Sequence, residues 1–236
     1  MRNIWVYVVG GMVAIGAIVS IKGLMGNSES SQSTAQKPVV TATANAAPAK
    51  VEAPKPDASF DKVEITKDDF VLGKETAPVT LVEYASLTCP HCAQFHQNTL
   101  PAVKKEYIET GKVKLVYRDF PLDQLSLSGS MIARCAGRDR YYAFIDVMFA
   151  QQATWARDPN PLAALSRIAR LGGMSQAKFD ECIKDKKIAD AIVQQRLDGD
   201  KKFGINATPT VIINGKRYSG GLTIEQFRAV VAPLLK

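Results

Sequence analysis

The sequence predicts an α/β domain in which a long helical segment interrupts one small β-sheet. Three observations support this fold class. A strand–helix–strand pattern occupies residues 77–121, a helical region follows over about 126–203, and a β-hairpin with a final helix ends the chain. Because the two strand-bearing parts are each too small to form a domain, the helical region is predicted to be an insertion in the connection between them.

The composition is that of an ordinary globular protein. The 236 residues are 46% hydrophobic and 22% charged, enough for one domain with a sizeable core and additional segments. The net charge of +7 is moderate, and no basic run alternates with aromatic residues, so a nucleic-acid site is not expected. Four cysteines are too few for a disulfide scaffold, and two histidines make a multi-ligand zinc site hard to build.

Residues 4–21 form an uncharged run of 18 residues near the N-terminus. As a helix this run would be about 27 Å long, close to the thickness of a bilayer core. It is longer than the usual apolar region of a cleaved signal peptide, and no small-x-small cleavage site follows closely. We therefore expect residues 1–26 to be a membrane anchor, with a cleaved signal as the alternative. Either segment would deliver the rest of the chain to a compartment where disulfides persist.

Residues 27–60 are predicted to be a flexible tether. They are rich in Ser, Thr, Ala and Pro and almost free of large apolar residues, so they cannot form a core. They contain no heptad pattern, and we therefore expect no oligomerising stalk and a monomeric protein. The folded domain is predicted to span residues 61–236.

The first half of the domain predicts a β-α-β unit. Residues 77–86 (APVTLVEYAS) have apolar side chains at both parities, which is typical of a central strand covered on both faces. A helical pattern follows, in which Pro101 predicts a kink and Gly111 an end. Residues 112–121 predict the second strand, and such a unit implies parallel pairing.

The insertion and the second half of the domain carry clear boundary signals. Asn160 before Pro161 is typical of a helix start, and Ser175 predicts another. Asn214-Gly215 joins two β-rich runs and predicts a hairpin. Thr223 has the spacing of a capping box at the start of an amphipathic final helix.

The run Cys89-Pro90-His91-Cys92 stands where the first strand passes into the first helix. Unpaired backbone N–H groups and the helix dipole favour an anion there, so the pKa of the Cys89 thiol is predicted to be lowered. His91 could favour the thiolate further by donating a hydrogen bond or carrying a charge. Cys92, one turn later, is placed to resolve a mixed disulfide. A Cys-x-x-Cys beside a β-α-β unit therefore predicts a redox-active dithiol.

Two other interpretations of the dithiol stay open. A structural disulfide across two residues would contribute little, because so small a loop removes little chain entropy. A copper or zinc carrier would use Cys89, Cys92 and His96, although closing a four-coordinate site within one turn looks strained. Haem attachment is excluded because Ala93, and not histidine, follows the second cysteine.

Two further features point to the same chemistry. Glu83 lies six residues before Cys89 in an apolar strand, where a carboxylate is costly to bury without a partner or a task. Glu83 could relay the proton of Cys92. The alternative is that its side chain is simply exposed to solvent at the edge of the sheet. Pro209 opens a strand after a turn. The Thr208–Pro209 bond could be cis, although the residues alone favour an ordinary trans proline.

Together these motifs resemble the thioredoxin-fold, DsbA-like thiol:disulfide oxidoreductases. The resemblance covers about Val63 to Leu235 and rests on TCPHCAQFH with Glu83 upstream, KVKLVYRDFPLD, and ATPTVIINGKRYSGGLTIEQF. It implies a thioredoxin-like fold with an inserted α-helical subdomain, preceded by the N-terminal transmembrane or signal segment. We expect an enzyme that needs no cofactor and no metal.

The resemblance also implies roles for single residues. Cys89 would be the exposed nucleophile and Cys92 the resolving thiol. His91 would stabilise the Cys89 thiolate and so make the disulfide oxidising. Thr208, before a cis Pro209, would offer backbone hydrogen bonds to an extended substrate peptide. In the same scheme the glutamate in the first strand would be the buried acid.

Cys135 and Cys182 both lie at predicted inward-facing positions of the helical insertion. In an oxidising compartment a structural disulfide between them is expected, and it could contribute roughly 3–4 kcal/mol. Two separate buried thiols are the alternative.

The expected function is a thiol oxidase that introduces disulfides into exported proteins with free thiols or unfolded segments. Family resemblance implies a membrane DsbB-like quinone reductase as its redox partner. The expected location is the periplasmic side of the inner membrane, anchored by residues 4–21, or the periplasm itself after cleavage. A threonine before the proline is more like the isomerase and reductase branches, so an isomerase or reductase is the alternative. Against it, the N-terminal region lacks a folded dimerisation module.

Overall fold

The computed structural model describes residues 51–236. The predicted anchor, 1–26, and most of the predicted tether lie outside the described residues. From residue 51 onward, no helix combines the length and the apolar character needed to cross a membrane.

One sheet of six strands and nine α-helices make up the described part of the chain. The strands are β1 (Ala58–Ser59), β2 (Val71–Leu72), β3 (Val79–Ala85), β4 (Val113–Asp119), β5 (Thr210–Ile213) and β6 (Lys216–Ser219). The helices are α1 (Pro90–Asn98), α2 (Leu100–Val103), α3 (Gln124–Cys135), α4 (Arg138–Ala150), α5 (Gln152–Trp155), α6 (Pro161–Leu171), α7 (Gln176–Cys182), α8 (Lys186–Phe203) and α9 (Ile224–Val231). A π-helical turn, Lys104–Ile108, continues α2, and a 3-10 turn, Ala232–Leu235, follows α9.

The sheet order is β1-β6-β5-β3-β4-β2. Strands β3 and β4 run parallel, with Glu83 opposite Tyr117, which confirms the predicted β-α-β unit. Strand β5 pairs with the other edge of β3 in antiparallel fashion and places Val211 opposite Glu83. The helices α3 to α8 occupy the connection between β4 and β5, so the thioredoxin-like fold with a helical insertion is confirmed.

Both faces of the central strand β3 are buried, as its mixed parity predicted. Leu81 and Ala85 belong to the core that includes α1 and the helical insertion. Val82 and Tyr84 belong to a second, smaller core on the opposite face. Because successive side chains of a strand alternate between faces, Glu83 points to the same side as Leu81 and Ala85. That side is the one on which α1 packs.

The folded domain begins before residue 61. Strand β1 pairs with β6, with Ala58 opposite Arg217, and the backbone N–H of Phe60 donates to the carbonyl of Gly215 at 2.8 Å. This short strand covers the outer edge of the hairpin and satisfies backbone groups there. The last residues of the predicted tether are therefore part of the sheet, although their composition is that of a linker.

The predicted first helix is divided into pieces. Helix α1 ends at Asn98, and α2 starts at Leu100 with Pro101 in its first turn. Proline has no N–H to continue the helical ladder, which explains a break just before it. The π-helical turn then extends the rod to Ile108, and Gly111 follows with φ +77°, in the region that favours glycine.

Side-chain caps begin several helices where the sequence predicts them. The Asn160 side chain accepts from the backbone N–H of Ala163 at 3.2 Å, and Ser175 caps α7 in the same way. Thr223 and Gln226 form the complete capping box at the start of α9. These local signals depend on neighbours in sequence, so they can be identified without the fold.

Cys135 and Cys182 are joined as a disulfide, with their Cα atoms 6.0 Å apart. The bond links the end of α3 to the end of α7 and closes a segment of 47 residues. It lies wholly inside the helical insertion. Cys182 is 1% exposed, so the bond is part of the packed interior.

Gly199 provides a test of how α8 packs on the sheet. A Cβ at this position would lie 2.7 Å from Cε1 of the fully buried Tyr84 ring. Gly199→Ala would gain roughly 1 kcal/mol of helix propensity, but overpacking a closed core typically costs about 1–3 kcal/mol. We expect a net loss of unfolding free energy in urea titration. The matched control, Asp200→Ala at the adjacent exposed position, should change stability by less than about 0.5 kcal/mol. A stabilised Gly199→Ala variant would contradict this packing.

The Cys135–Cys182 bond makes a second prediction. After limited reduction and alkylation under denaturing conditions, intact mass should show two modified thiols, those of Cys89 and Cys92. Two further reactive thiols would contradict the bond. Replacing Cys135 and Cys182 together by alanine should lower the unfolding free energy by roughly 4 kcal/mol, because a loop of this length constrains the unfolded chain strongly.

Candidate active site

The dithiol lies at the N-terminal end of α1. Helix α1 begins at Pro90, so Cys89 occupies the N-cap position with extended backbone angles, φ −77° and ψ 119°. Proline suits the first helical position because its φ is already fixed and its missing N–H would be unpaired there. The carbonyl of Cys89 accepts the first helical hydrogen bond, from the N–H of Ala93 at 3.1 Å. The predicted helix start is confirmed.

Buried hydroxyl groups hold the loop between β3 and α1. The Ser86 hydroxyl donates to that of Ser126 at 2.8 Å, and the Ser126 oxygen also accepts from the N–H of Leu87 at 3.0 Å. Thr88 donates to the Asp123 carboxylate at 2.6 Å. Ser126 and Asp123 lie at the start of α3, so the helical insertion fixes the approach to the dithiol. Sequence analysis did not identify these residues, because each pair joins distant positions.

Cys89 is more covered than the resemblance implied. The residue is only 6% exposed, and its sulfur lies 3.3 Å from the carbonyl oxygen of Thr208, to which it donates when it is protonated. On the other side, the Gln152 amide donates to the carbonyls of Leu87 and Cys89 at 2.7 and 3.0 Å. The expectation of an exposed nucleophile is therefore wrong for this conformation, because the Thr208 loop closes over the sulfur. Cys89 is nevertheless more accessible than Cys92, which is 0% exposed.

The surroundings of Cys89 lower the pKa of its thiol to about 5. The largest cause is a hydrogen bond from the Cys92 thiol, and burial of Cys89 opposes it. Further hydrogen bonds from the Thr208 side chain and from the backbone N–H groups of Cys92 and His91 stabilise the thiolate. The direction agrees with the prediction from the helix N-terminus. The backbone contribution that motivated that prediction is smaller than the contribution of the second thiol.

The surroundings of Cys92 have the opposite effect. Burial raises the pKa of its thiol well above the usual range, and donation of its hydrogen bond to Cys89 raises it further. The negative charge of Glu83 adds to the same shift. The reduced dithiol therefore holds one proton, on Cys92, and one negative charge, on Cys89.

His91 contributes through its backbone and not through its ring. The imidazole is exposed, and its Nδ1 lies 3.3 Å from Oε1 of Gln94. The backbone N–H of His91 is the group that points to the Cys89 sulfur. The predicted role of the His91 ring as a thiolate stabiliser is therefore corrected: the ring is turned along the helix because α1 places that side chain outward.

The loop that faces the dithiol contains a cis peptide bond between Thr208 and Pro209. The resemblance implied this form, whereas the residues alone favoured trans. The hydroxyl of Thr208 is buried, and within the described region it has no hydrogen-bond partner other than the Cys89 thiolate. An open groove of about 610 Å³ begins at this loop and runs between α1 and the start of α9. Its lining includes His91, Thr208, Pro209, Gly221 and Thr223.

Glu83 and His96 form a buried pair behind the dithiol. Glu83 is 0% exposed, and Nε2 of His96 lies 3.1 and 3.0 Å from its two carboxylate oxygens. The alternative that the Glu83 side chain is exposed to solvent at the edge of the sheet is therefore excluded. His96 was considered only as a metal ligand, although it follows Cys92 by one helical turn and so shares its face. That spacing, combined with the strand parity of Glu83, is the signal that could have identified the pair.

No group of three or more His, Cys, Asp or Glu side chains between residues 51 and 236 is arranged to hold a metal ion. The ring of His96 is directed to Glu83, so its Nε2 is already engaged. The arrangement of Cys89, Cys92 and His96 therefore gives no support to the copper or zinc interpretation.

Comparisons with known proteins agree with this architecture. A family model described as Thioredoxin matches residues 65–232. A protein of Rickettsia bellii that is named provisionally as a protein-disulfide oxidoreductase is 33% identical over 164 residues, covering 68% of this chain and 63% of that protein. The chain thus spans somewhat less than two thirds of that relative.

Solved structures show the same similarity. The crystal structure of alpha-DsbA1 from Wolbachia pipientis is 35% identical, with a TM-score of 0.69, and the match covers 72% of this chain and 92% of that one. Oxidised BdbD from Bacillus subtilis has the same fold at 22% identity, with a TM-score of 0.62 and coverage of 78% and 97%.

The Thr208 hydroxyl tests the electrostatics of the site. Thr208→Val keeps the shape of the side chain and the backbone carbonyl but removes one hydrogen-bond donor to the Cys89 thiolate. We expect the pKa of Cys89, measured by the ultraviolet absorbance of its thiolate during pH titration, to rise above about 5. Thr208→Ser, which keeps the hydroxyl, is the matched control and should leave the pKa near its original value. An unchanged pKa in Thr208→Val, or an equal rise in both variants, would contradict the role of this hydroxyl.

Proposed function

The chain belongs to the DsbA-like family of the thioredoxin fold, and we propose that it is a protein-disulfide oxidoreductase that works as an oxidase. The observation that carries this proposal is the unequal environment of the two thiols. The Cys89 thiolate is stabilised, with a pKa of about 5, whereas burial keeps the Cys92 thiol protonated. Because the environment favours the reduced state over the disulfide, the disulfide readily passes to other proteins.

The proposed reaction is dithiol–disulfide exchange. A thiolate of the substrate attacks the Cys89 sulfur of the Cys89–Cys92 disulfide, and Cys92 leaves and takes up a proton. A second substrate thiolate then attacks its own mixed-disulfide sulfur, and Cys89 leaves as a thiolate. The substrate loses two electrons and two protons; the dithiol gains both electrons and one proton, and the other proton enters solvent. A low pKa makes Cys89 the better leaving group in the second step.

The groove beside the cis peptide is the proposed site for the substrate chain. Thr208 has a backbone carbonyl beside Cys89 and Pro209 is buried, so an extended peptide could pair with this loop in the manner of an added strand. The substrates that fit are unfolded segments with free thiols. Exported proteins are the natural source of such segments, because they enter an oxidising compartment in which their thiols form disulfides. Thiols of cytosolic proteins are instead kept reduced.

The proposed location is the periplasmic side of the inner membrane, with residues 4–21 as the anchor or a cleaved signal. The Cys135–Cys182 bond supports an oxidising compartment. A membrane quinone reductase of the DsbB type is the proposed reoxidant of the dithiol.

An isomerase or reductase of the same fold is the second candidate. The feature that favours it is Thr208 before Pro209, since the resemblance links threonine at this position to those branches. Such an enzyme would be kept reduced by a membrane electron donor. The two candidates therefore differ in the direction of electron flow through Cys89.

Acid trapping of the thiols in the native host tests the direction. If cells are quenched in acid and free thiols are then alkylated with a mass label, an oxidase should carry the Cys89–Cys92 disulfide in most molecules. A mainly reduced pool would contradict the oxidase and favour the isomerase. A Cys92→Ser variant is the matched control: it should retain mixed disulfides with substrates through Cys89, whereas Cys89→Ser should retain none.

A further inference from the structure

The Cys92 thiol must release a proton when the dithiol is reoxidised and regain one when it is reduced. Its side chain has no route of its own to solvent, because Cys92 is 0% exposed. Glu83, the neighbouring acid, is also 0% exposed. A proton accepted by Glu83 therefore has to pass through another group before it reaches water.

His96 is the group that contacts the Glu83 carboxylate. Its Nε2 lies within hydrogen-bonding distance of both carboxylate oxygens, at 3.0 and 3.1 Å. Its Nδ1 is buried without a hydrogen-bond partner in the described structure and lies 4.0 Å from Oδ1 of Asp146. The Asp146 side chain is 44% exposed, and Lys104 Nζ holds its other oxygen at 2.5 Å.

We propose that His96 acts through Glu83 as a positioning and proton-transfer residue that connects Cys92 to solvent by way of Asp146. An imidazole ring can accept a proton at one nitrogen and release one from the other. It can therefore transfer a proton between two carboxylates that are not in contact with each other. A small rotation of the half-exposed Asp146 carboxylate would close the 4.0 Å gap to Nδ1. The route then runs from the Cys92 sulfur to Glu83, to His96, to Asp146 and to water.

The surroundings of His96 leave the proton few other exits. The Phe149 ring stacks against the imidazole with centroids 4.0 Å apart, and the Tyr117 ring meets it edge-on at 5.9 Å. These rings fix the orientation of the imidazole and exclude water from its faces. The titratable or charged side chains around His96 and its two carboxylate neighbours come from every element packed there: Glu83 from β3, Cys92 from α1, Tyr117 from β4, Asp146 and Tyr142 from α4, and Lys104 from the π-helical turn.

The route predicts which step of exchange depends on His96. When reduced protein meets a disulfide reagent, the Cys89 thiolate attacks first and forms a mixed disulfide, a step that moves no proton at Cys92. In the second step Cys92 gives its proton to Glu83, its thiolate attacks the Cys89 sulfur, and the reagent leaves as a second thiolate. Only this second step needs the route. The inference rests on the proposed thiol–disulfide exchange but not on its direction in the cell.

The experiment follows both steps with oxidised glutathione as the reagent. Reduced full-length protein is mixed with it, quenched in acid at short times, and analysed by intact mass for the mixed disulfide and for the final disulfide. The test variants are His96→Gln, which keeps an amide to hydrogen-bond Glu83 but cannot pass a proton, and Asp146→Asn. The control is Asp139→Asn, which removes an exposed carboxylate from the same helix.

In His96→Gln the second step should slow by about tenfold or more, so that the mixed disulfide accumulates. The expected slowing is smaller than the roughly 10²- to 10⁴-fold effect of removing a directly positioned acid or base, because Glu83 is still present to accept the proton. In the unaltered protein the rate of the second step should level off as the pH is raised. In His96→Gln this rate should instead keep rising with pH, because hydroxide then removes the Cys92 proton in place of the route. Asp146→Asn should slow the same step by a smaller factor, while Asp139→Asn should leave both steps within about twofold of the original rates.

The first step serves as an internal measure of an intact site. If both steps slow together in His96→Gln, or if the second step keeps its rate and pH profile in both test variants, the inference is wrong and His96 is only a packing partner of Glu83. Should His96→Gln fail to fold, Asp146→Asn at its half-exposed position decides alone, by the same comparison of steps. Absence of any mixed disulfide through Cys89, in the unaltered protein, would instead refute the proposed exchange chemistry.

Discussion

The hydrogen bond from the Cys92 thiol to the Cys89 sulfur is the interaction on which the candidate site depends. It requires that one cysteine cap α1 and that the other lie one turn deeper, because only then do the two sulfur atoms differ in exposure. The cap position adds backbone N–H groups to the outer sulfur, and burial denies solvent to the inner one. The same four-residue run in a loop without a helix would lack both effects.

The helical insertion holds this arrangement in place. Arg134 from α3 donates to the buried Asp119 carboxylate at the end of β4 at 2.6 Å, and Gln195 from α8 contacts both, accepting from the Asp119 N–H and from Arg134. Burying such a pair is costly unless its remaining polar groups are also satisfied, and Gln195 satisfies part of that need. Because Ser126, in the first turn of α3, fixes the loop before Cys89, the ion pair that docks α3 also positions the dithiol.

The sequence contained enough to predict the order of elements, the helix starts at Asn160, Ser175 and Thr223, and the reactive pair Cys89 and Cys92. These features depend on neighbours within a few residues, so pattern and spacing reveal them. Local patterns could not reveal contacts between distant positions.

Most of the contacts that were missed belong to that second kind. The Glu83–His96 pair combines a strand parity with a helix face, and neither alone identifies a partner. The coverage of Cys89 depends on a loop 119 residues away in the sequence. His91 was assigned a role for its ring, yet a helix that starts at Pro90 directs that ring outward and leaves only the backbone N–H near the sulfur. The strand at residues 58–59 has the composition of a linker and is ordered by the hairpin edge it covers.

The unequal protonation of the two thiols can be measured most directly as the pH dependence of the dithiol's reduction potential, by equilibration with glutathione. If Cys89 is a thiolate and Cys92 a thiol, reduction takes up one proton for two electrons, and the potential should fall by about 30 mV per pH unit through the neutral range. Below the Cys89 pKa of about 5 the slope should double, since a second proton is then taken up. A slope of about 60 mV per pH unit throughout the neutral range would show that both thiols are protonated and would contradict this account.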